Sequence, residues 1–194
     1  MCGILGSISD NIFDYDNAVK SMSHRGPDYN DTIRYDNLVL SHSRLSIIDL
    51  DSASNQPFTI GDDVLIFNGE IYNYLDLKDV LIKSGCHFKT KGDTEVLLLW
   101  LIHKGMECID QVEGMFAFSW YNKIRKELIL CRDSLGIKPL YVYRDEENLI
   151  FSSEIKPIFA LYPKAKKIDT TLIAEYLLNG FIYEPDTGFE NIRK

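Results

Sequence analysis

Residues 115–133 read MFAFSWYNKIRKELILCRD. Two runs rich in aromatic and branched side chains flank the polar stretch NKIRK (122–126), which predicts two antiparallel strands joined by a short turn. The pattern returns downstream, where PLYVYRD (139–145) and LIFSSE (149–154) meet across RDEEN (144–148).

Upstream of this strand-rich region the period changes. NYLDLKDVLIKSG (73–85) places Leu77, Val80 and Leu81 on one helical face and stops at Gly85. DTEVLLLWLIHKG (93–105) is apolar nearly all round, so it is expected between two layers rather than on a surface. Further back, CGILGSIS (2–9) reads as a strand broken by glycine, and NLVLSHSRLSIIDL (37–50) and DVLIFNGEIYN (63–73) read as strands. YDNAVKSMSH (15–24) reads as a helix with Ala18, Val19 and Met22 on one side. TTLIAEYLLNG (170–180) is a last helix, with Leu172, Ile173, Tyr176 and Leu177 together and a stop at Gly180. Helices grouped between runs of strands point to an α+β domain with sheets and helices in separate layers.

The chain has 194 residues, 45% of them apolar and 26% charged, with a net charge of -8. This is globular composition, and its acidity disfavours nucleic acid as a partner. The longest apolar run, VLLLWLI (96–102), is too short to span a bilayer, and the opening residues have no basic start of an export signal. A cytoplasmic protein without a membrane partner is expected. Four scattered cysteines, with no C-x-x-C pair, argue against a zinc site or a disulfide framework. No glycine-rich phosphate loop occurs. Cys86, Cys108 and Cys131 lie among apolar neighbours and read as small core residues.

Cys2 is different, because it follows the initiator methionine directly. With Met1 removed, one residue would carry a thiol of pKa about 8.5 and an α-amine of about 7.7–8.0. Proton transfer between them is nearly balanced, so the amine can act as the base that activates the thiol and can later return the proton to a leaving amine. A cysteine at a frayed end with no role is the alternative. Asn68-Gly69, at the end of a strand, offers an amide and a backbone N–H for a developing oxyanion, or else a plain turn. Arg44 sits in an apolar strand-like run and matches a carboxylate in bidentate fashion, or forms a structural ion pair. Asp93 begins a helix, where it caps the N-terminus or receives a substrate ammonium. Arg44 and Asp93 together would clamp an amino acid zwitterion.

MCGILG, SHRGPD, HSRLSIIDL, FNGEIYNY, GDTEVLL, EGMFAFSWYN, RDSLGIKPLY and FSSEIKPI, in this order, resemble the glutaminase domain of glutamine-hydrolysing asparagine synthetases. These are class II glutamine amidotransferases of the N-terminal nucleophile hydrolase type, and the resemblance runs over essentially the whole chain. It implies a four-layer αββα sandwich of two antiparallel sheets. It also implies that Cys2 attacks the glutamine amide and that Asn68 and Gly69 form the oxyanion hole. Arg44, Leu45, Ile47, Ile48, Glu70 and Asp93 would bind glutamine. Arg25, Gly26 and Asp28 would order the loop beneath the nucleophile. Tyr72 and Asn73 are assigned packing and capping, and Lys138 a place on the surface.

For this half the resemblance implies no metal and no cofactor. Complete family members continue into a synthetase domain that uses ATP and magnesium, and the S-G-G-x-D-S loop of that domain does not occur here. Residues 1–194 are therefore expected to be one amidotransferase domain, excised from a longer chain or serving a separate synthetase subunit. The segment from about residue 170 onward would begin the inter-domain connection. A homodimer stays open. Two other functions also stay open: a silent glutamine-binding module, and the glutaminase half of an enzyme that amidates a sugar or another acceptor.

Overall fold

In this computed structural model, which describes residues 1–194, the hairpin forms as the sequence predicts. β6 (Gly114–Asn122) and β7 (Glu127–Arg132) pair antiparallel, with Asn122 opposite Glu127. β6 also pairs along its whole length with β5 (Asp63–Ile71), whose other side carries the short β4 (Phe58–Ile60). The downstream pair is β8 (Tyr141–Arg144) and β9 (Asn148–Ser152). These belong to a second sheet with β1 (Gly3–Ser9), β2 (Tyr29–Tyr35), β3 (Leu38–Arg44) and β10 (Ile192–Arg193). The strand orders are β10-β8-β9-β1-β3-β2 and β4-β5-β6-β7, and every pairing is antiparallel.

Why the strands carry continuous apolar runs follows from the layers. A strand covered on both faces cannot alternate. Ile4, Leu40, Ile66, Ala117 and Phe151 fill the space between the two sheets. Their neighbours Leu5, Val39 and Ile150 turn outward to α1 (Tyr15–Lys20) and α4 (Ile155–Leu161), which supply Ala18, Ile158 and Leu161. On the other outer face, Leu65, Phe67, Phe116 and Phe118 meet α2 (Tyr74–Lys83) and α3 (Asp93–Lys104). The result is the four-layer αββα sandwich. Residues 93–101 of α3 are all buried, as its all-round apolarity requires.

Some local expectations are corrected. β1 is unbroken: Gly6 serves close packing, since a Cβ there would lie 2.3 Å from the Phe151 ring. The strand starting near residue 37 ends at Arg44, and 45–50 form an irregular loop. α1 is shorter than predicted, ending at Lys20. Val80 points outward, 41% exposed, while Leu77 and Leu81 are buried. β2 and β4 were not visible in the sequence. Cys86, Cys108 and Cys131 are free and half-buried at the margin of the α2–α3 core rather than inside it.

The C-terminal segment is divided. α5 (Thr170–Asn179), ended by Gly180 in the left-handed region, buries no residue, and Leu177 and Leu178 are largely exposed. Beyond it the chain returns, pairs Ile192 with Tyr143 and buries Ile192 in the α1–α4 core. No helix is long and apolar enough to cross a membrane.

Candidate active site

β4 is the reason a cavity exists. It covers β5 only from Asp63 to Leu65, because Phe58 is its first paired residue. Past that point the outer edge of β5 faces loops and the start of α3. In an antiparallel ladder alternate residues aim their N–H and C=O groups away from a given neighbour. Phe67 and Ile71 do so here: the Phe67 N–H donates to Gln56 Oε1 (2.6 Å) and the Ile71 N–H to Asp93 Oδ2 (3.0 Å). Gly69, between them, aims its N–H the same way, into a cavity of about 230 Å³ that it lines. Only glycine fits there, since a Cβ would stand 2.4 Å from the Met115 carbonyl oxygen.

All nine site residues expected from the sequence line this cavity: Cys2, Asn68 and Gly69, and also Arg44, Leu45, Ile47, Ile48, Glu70 and Asp93. Cys2 comes from the opposite sheet, just before β1. Its sulfur accepts the Leu45 N–H at 3.5 Å, and its S–H is 3.6 Å from the Leu45 oxygen. Burial pushes the Cys2 thiol pKa up, while the Leu45 N–H, the chain's terminal amine and the Arg44 cation pull it down. That amine sits on Met1, which lines the cavity beside Cys2. The Asn68 side chain is buried, and its Nδ2 has no acceptor. A buried amide donor without a partner costs stability, and at the cavity wall this one is open to a ligand.

Asp93 does not cap α3. Gly92 occupies the cap position, and Asp93 is the first helical residue, 6% exposed, with its carboxylate on the Ile71 N–H. Burial raises its pKa to about 6, against the pull of that N–H and helped by the nearby Glu70 charge. Arg44 is buried without a salt bridge. Its Nη1 donates to the Asp51 carbonyl (3.0 Å) and to Asn55, and its Nη2 to the Asp49 carbonyl. Three of its five N–H groups are thereby used, leaving two unused.

Behind Cys2, Arg25 Nε donates to the Cys2 carbonyl (2.9 Å) and its Nη1 pairs with Glu154 (3.0 Å). Gly26 lies against β3 so closely that a Cβ would be 2.2 Å from Ser43. Asp28 accepts the Ser46 N–H at 2.7 Å. Asn73 does not cap α2 with its side chain; it joins Gln111 and Glu113 instead.

A family model described as a glutamine amidotransferase domain matches residues 1–194. The chain belongs to this family. Within it, the chain is 36% identical over 221 residues to a putative glutamine-hydrolysing asparagine synthetase 2 of Methanocaldococcus jannaschii, covering all of this chain and 42% of the relative. It is 35% identical over 204 residues to glutamine-hydrolysing asparagine synthetase 1 of Bacillus subtilis, covering all of this chain and 32% of that protein. The chain thus spans less than half the length of these relatives. The fold is that of glutamine phosphoribosylpyrophosphate amidotransferase from B. subtilis, with a TM-score of 0.70 at 20% identity over 82% of this chain and 43% of that one.

The amidotransferase cavity also holds groups that sequence reasoning passed over. Lys138 is no surface cation: it lines the cavity and is 6% exposed. Asp49 accepts from Ser54 Oγ (2.7 Å), the Lys91 N–H (3.0 Å) and the Asp51 N–H (3.0 Å), which hold its pKa down at about 2. It ties the loop that holds Arg44 to the turn that leads into α3. Its position directly after the SRLSII stretch was the available signal.

Proposed function

We propose that this domain hydrolyses glutamine to glutamate and ammonia through Cys2 once Met1 is removed. One observation carries the reading: from opposite sheets, a thiol and an amide–glycine pair with unclaimed N–H groups border the same small cavity. The Cys2 amine takes the thiol proton, and the sulfur attacks the glutamine side-chain carbonyl carbon. The carbonyl oxygen becomes an oxyanion held by Asn68 Nδ2 and the Gly69 N–H. The amine then protonates the departing nitrogen, the C–N bond breaks, ammonia leaves, and a glutamyl thioester remains on Cys2. Water, deprotonated by the same amine, attacks that thioester; glutamate leaves and the thiol is restored. Arg44 would hold the α-carboxylate and Asp93 the α-ammonium, with Leu45, Ile47, Ile48 and Glu70 enclosing the chain between them.

The names of the relatives support passing the ammonia to a synthetase unit that forms an amide, in the same chain or another subunit; the cytoplasm is the compartment we propose for it. ATP and magnesium would belong to that unit. Its acceptor, whether aspartate, a sugar or another group, would be chosen by that unit. The test is to incubate the processed chain with glutamine and measure ammonia and glutamate, with Cys2→Ala as control. Hydrolysis that survives the substitution would sink the assignment.

A silent glutamine-binding module is the second reading, favoured by the burial that pushes the Cys2 thiol pKa up. Intact mass of the chain from its natural cells separates the two, because Met1 retained there leaves Cys2 without a basic amine.

A further inference from the structure

The outer edge of β5 raises a question about Phe67. The register pairing Phe58 with Leu65 would set Gln56 opposite Phe67, but Pro57 has no N–H to continue a ladder. Both backbone groups of Phe67 are satisfied by side chains instead. Gln56 Oε1 takes its N–H at 2.6 Å, and His42, reaching across from β3 in the other sheet, places Nε2 3.1 Å from its carbonyl oxygen. A carbonyl only accepts, so Nε2 carries the proton. Complete burial keeps the ring neutral, its pKa lowered to about 3. Gln56 is itself buried and its Nε2 is 3.4 Å from Thr94 Oγ1, which lies on α3 next to Asp93.

We propose that His42 and Gln56 are positioning residues for the amide hydrolysis, fixing the two peptides on either side of Phe67, Gln56 through the Phe67 N–H and His42 through its carbonyl, so that Asn68 Nδ2 and the Gly69 N–H meet the oxyanion together. This rests on the glutaminase reading above. Neither residue needs to touch glutamine. Holding the Phe67 carbonyl sets the plane of the following peptide and hence the direction in which the Asn68 side chain leaves the strand. β6 holds the inner side of that peptide through Asn68, but on the outer side β4 has already ended and no strand reaches the Phe67 carbonyl. A fully buried histidine on the strand face that carries Leu40 is costly as packing, and its hydrogen bond goes to the residue preceding the amide–glycine pair.

The test measures kcat, KM and thermal unfolding of the processed chain for His42→Gln, His42→Asn, Gln56→Met and Asn68→Ala. A glutamine amide reaches as far along the side chain as Nε2, whereas an asparagine amide falls one bond short. His42→Asn and Gln56→Met are expected to lower kcat by about 10- to 100-fold, with KM within about twofold. His42→Gln is expected to stay within about threefold of the unsubstituted chain. Equal kcat for the two histidine variants, or losses seen only in KM or in melting, would overturn the proposal. If His42→Asn yields no folded chain, Gln56→Met decides by the same kcat criterion. Asn68→Ala separates the two levels. Full activity in that variant defeats the oxyanion reading itself, while a large loss there beside a normal kcat in Gln56→Met and His42→Asn defeats only the positioning role.

Discussion

Along β5 the inner edge pairs with β6 from Asp63 to Ile71, whereas the outer edge meets β4 only from Asp63 to Leu65. On the closed edge, ladder bonds to β6 answer the backbone groups and the aromatic rows behind them add buried apolar area, and the gain is stability. On the open edge the same kind of backbone is answered one group at a time by side chains from distant elements, and Gly69 N–H is left over for a ligand. An unpaired strand edge is ordinarily covered or blunted. Here it is left unpaired over six residues, Ile66 to Ile71, and enclosed by loops and the start of α3.

The contrast can be broken most sharply at Cys2, which faces the open edge. Cys2→Ala should lower glutamine hydrolysis about 10⁴-fold or more with unfolding unchanged, measured by ammonia release and calorimetry. On the closed side, Phe118→Ala should cost about 3–5 kcal/mol of stability in denaturant titrations, because that ring is fully buried in the α2–α3 core. Asn68→Ala should reverse that pattern, lowering kcat by about 10²–10³-fold with melting nearly unchanged.

Asp93 couples the two kinds of effect. Folding raises its pKa to about 6, so the folded chain holds that proton more tightly than the unfolded one. Its contribution to stability is therefore full below the ordinary carboxylate value and lost as pH rises through about 6, at a cost on the order of 3 kcal/mol. Asp93→Asn should remove that loss and melt later than the unsubstituted chain at pH 7–8. The same variant should bind glutamine poorly at every pH. The unsubstituted chain should instead lose kcat/KM about tenfold per pH unit below pH about 6, as the carboxylate protonates. The smallest effect belongs to the bare helix: Leu178→Asp on α5 should change stability by no more than about 0.5 kcal/mol, since that side chain is 86% exposed.

Much of this architecture was legible because burial on both faces leaves a simple trace. Long apolar strands and an all-apolar α3 pointed to an α+β domain with sheets and helices in separate layers, and the αββα order came from the family resemblance. β2 escaped notice because it is an edge strand carrying Asp31 and Arg34 on a largely exposed surface, and β4 because three residues make no period. α5 shows the limit of a face read from periodicity: Leu172, Ile173, Tyr176 and Leu177 share a side, but a pattern does not say whether anything covers it. At the cavity, the expected residues lie in short motifs that end strands or begin helices, and the fold brings those ends together. His42, Gln56 and Asp49 were missed for one physical reason. Each acts through a hydrogen bond to backbone or to a loop far from it in sequence, and such a partner leaves no local signature. Lys138 was misjudged for a related reason, since a lysine beside Gly136 and Pro139 reads as a solvent-facing turn.

Asp49 has a consequence for what the cavity admits. Its backbone oxygen takes the Arg44 guanidinium while its carboxylate grips Ser54 and the Lys91 N–H, two residues before Asp93. The holder proposed for one end of a zwitterion and the holder proposed for the other are thus riveted to a single residue, and the gap between them is preset like the jaws of a gauge. Amino acids with carboxylate and ammonium on one carbon would span those jaws, and homologues with the two groups a carbon further apart would not. Because the rivet stays ionised down to pH about 2, the gauge keeps its setting long after Asp93 has taken up a proton.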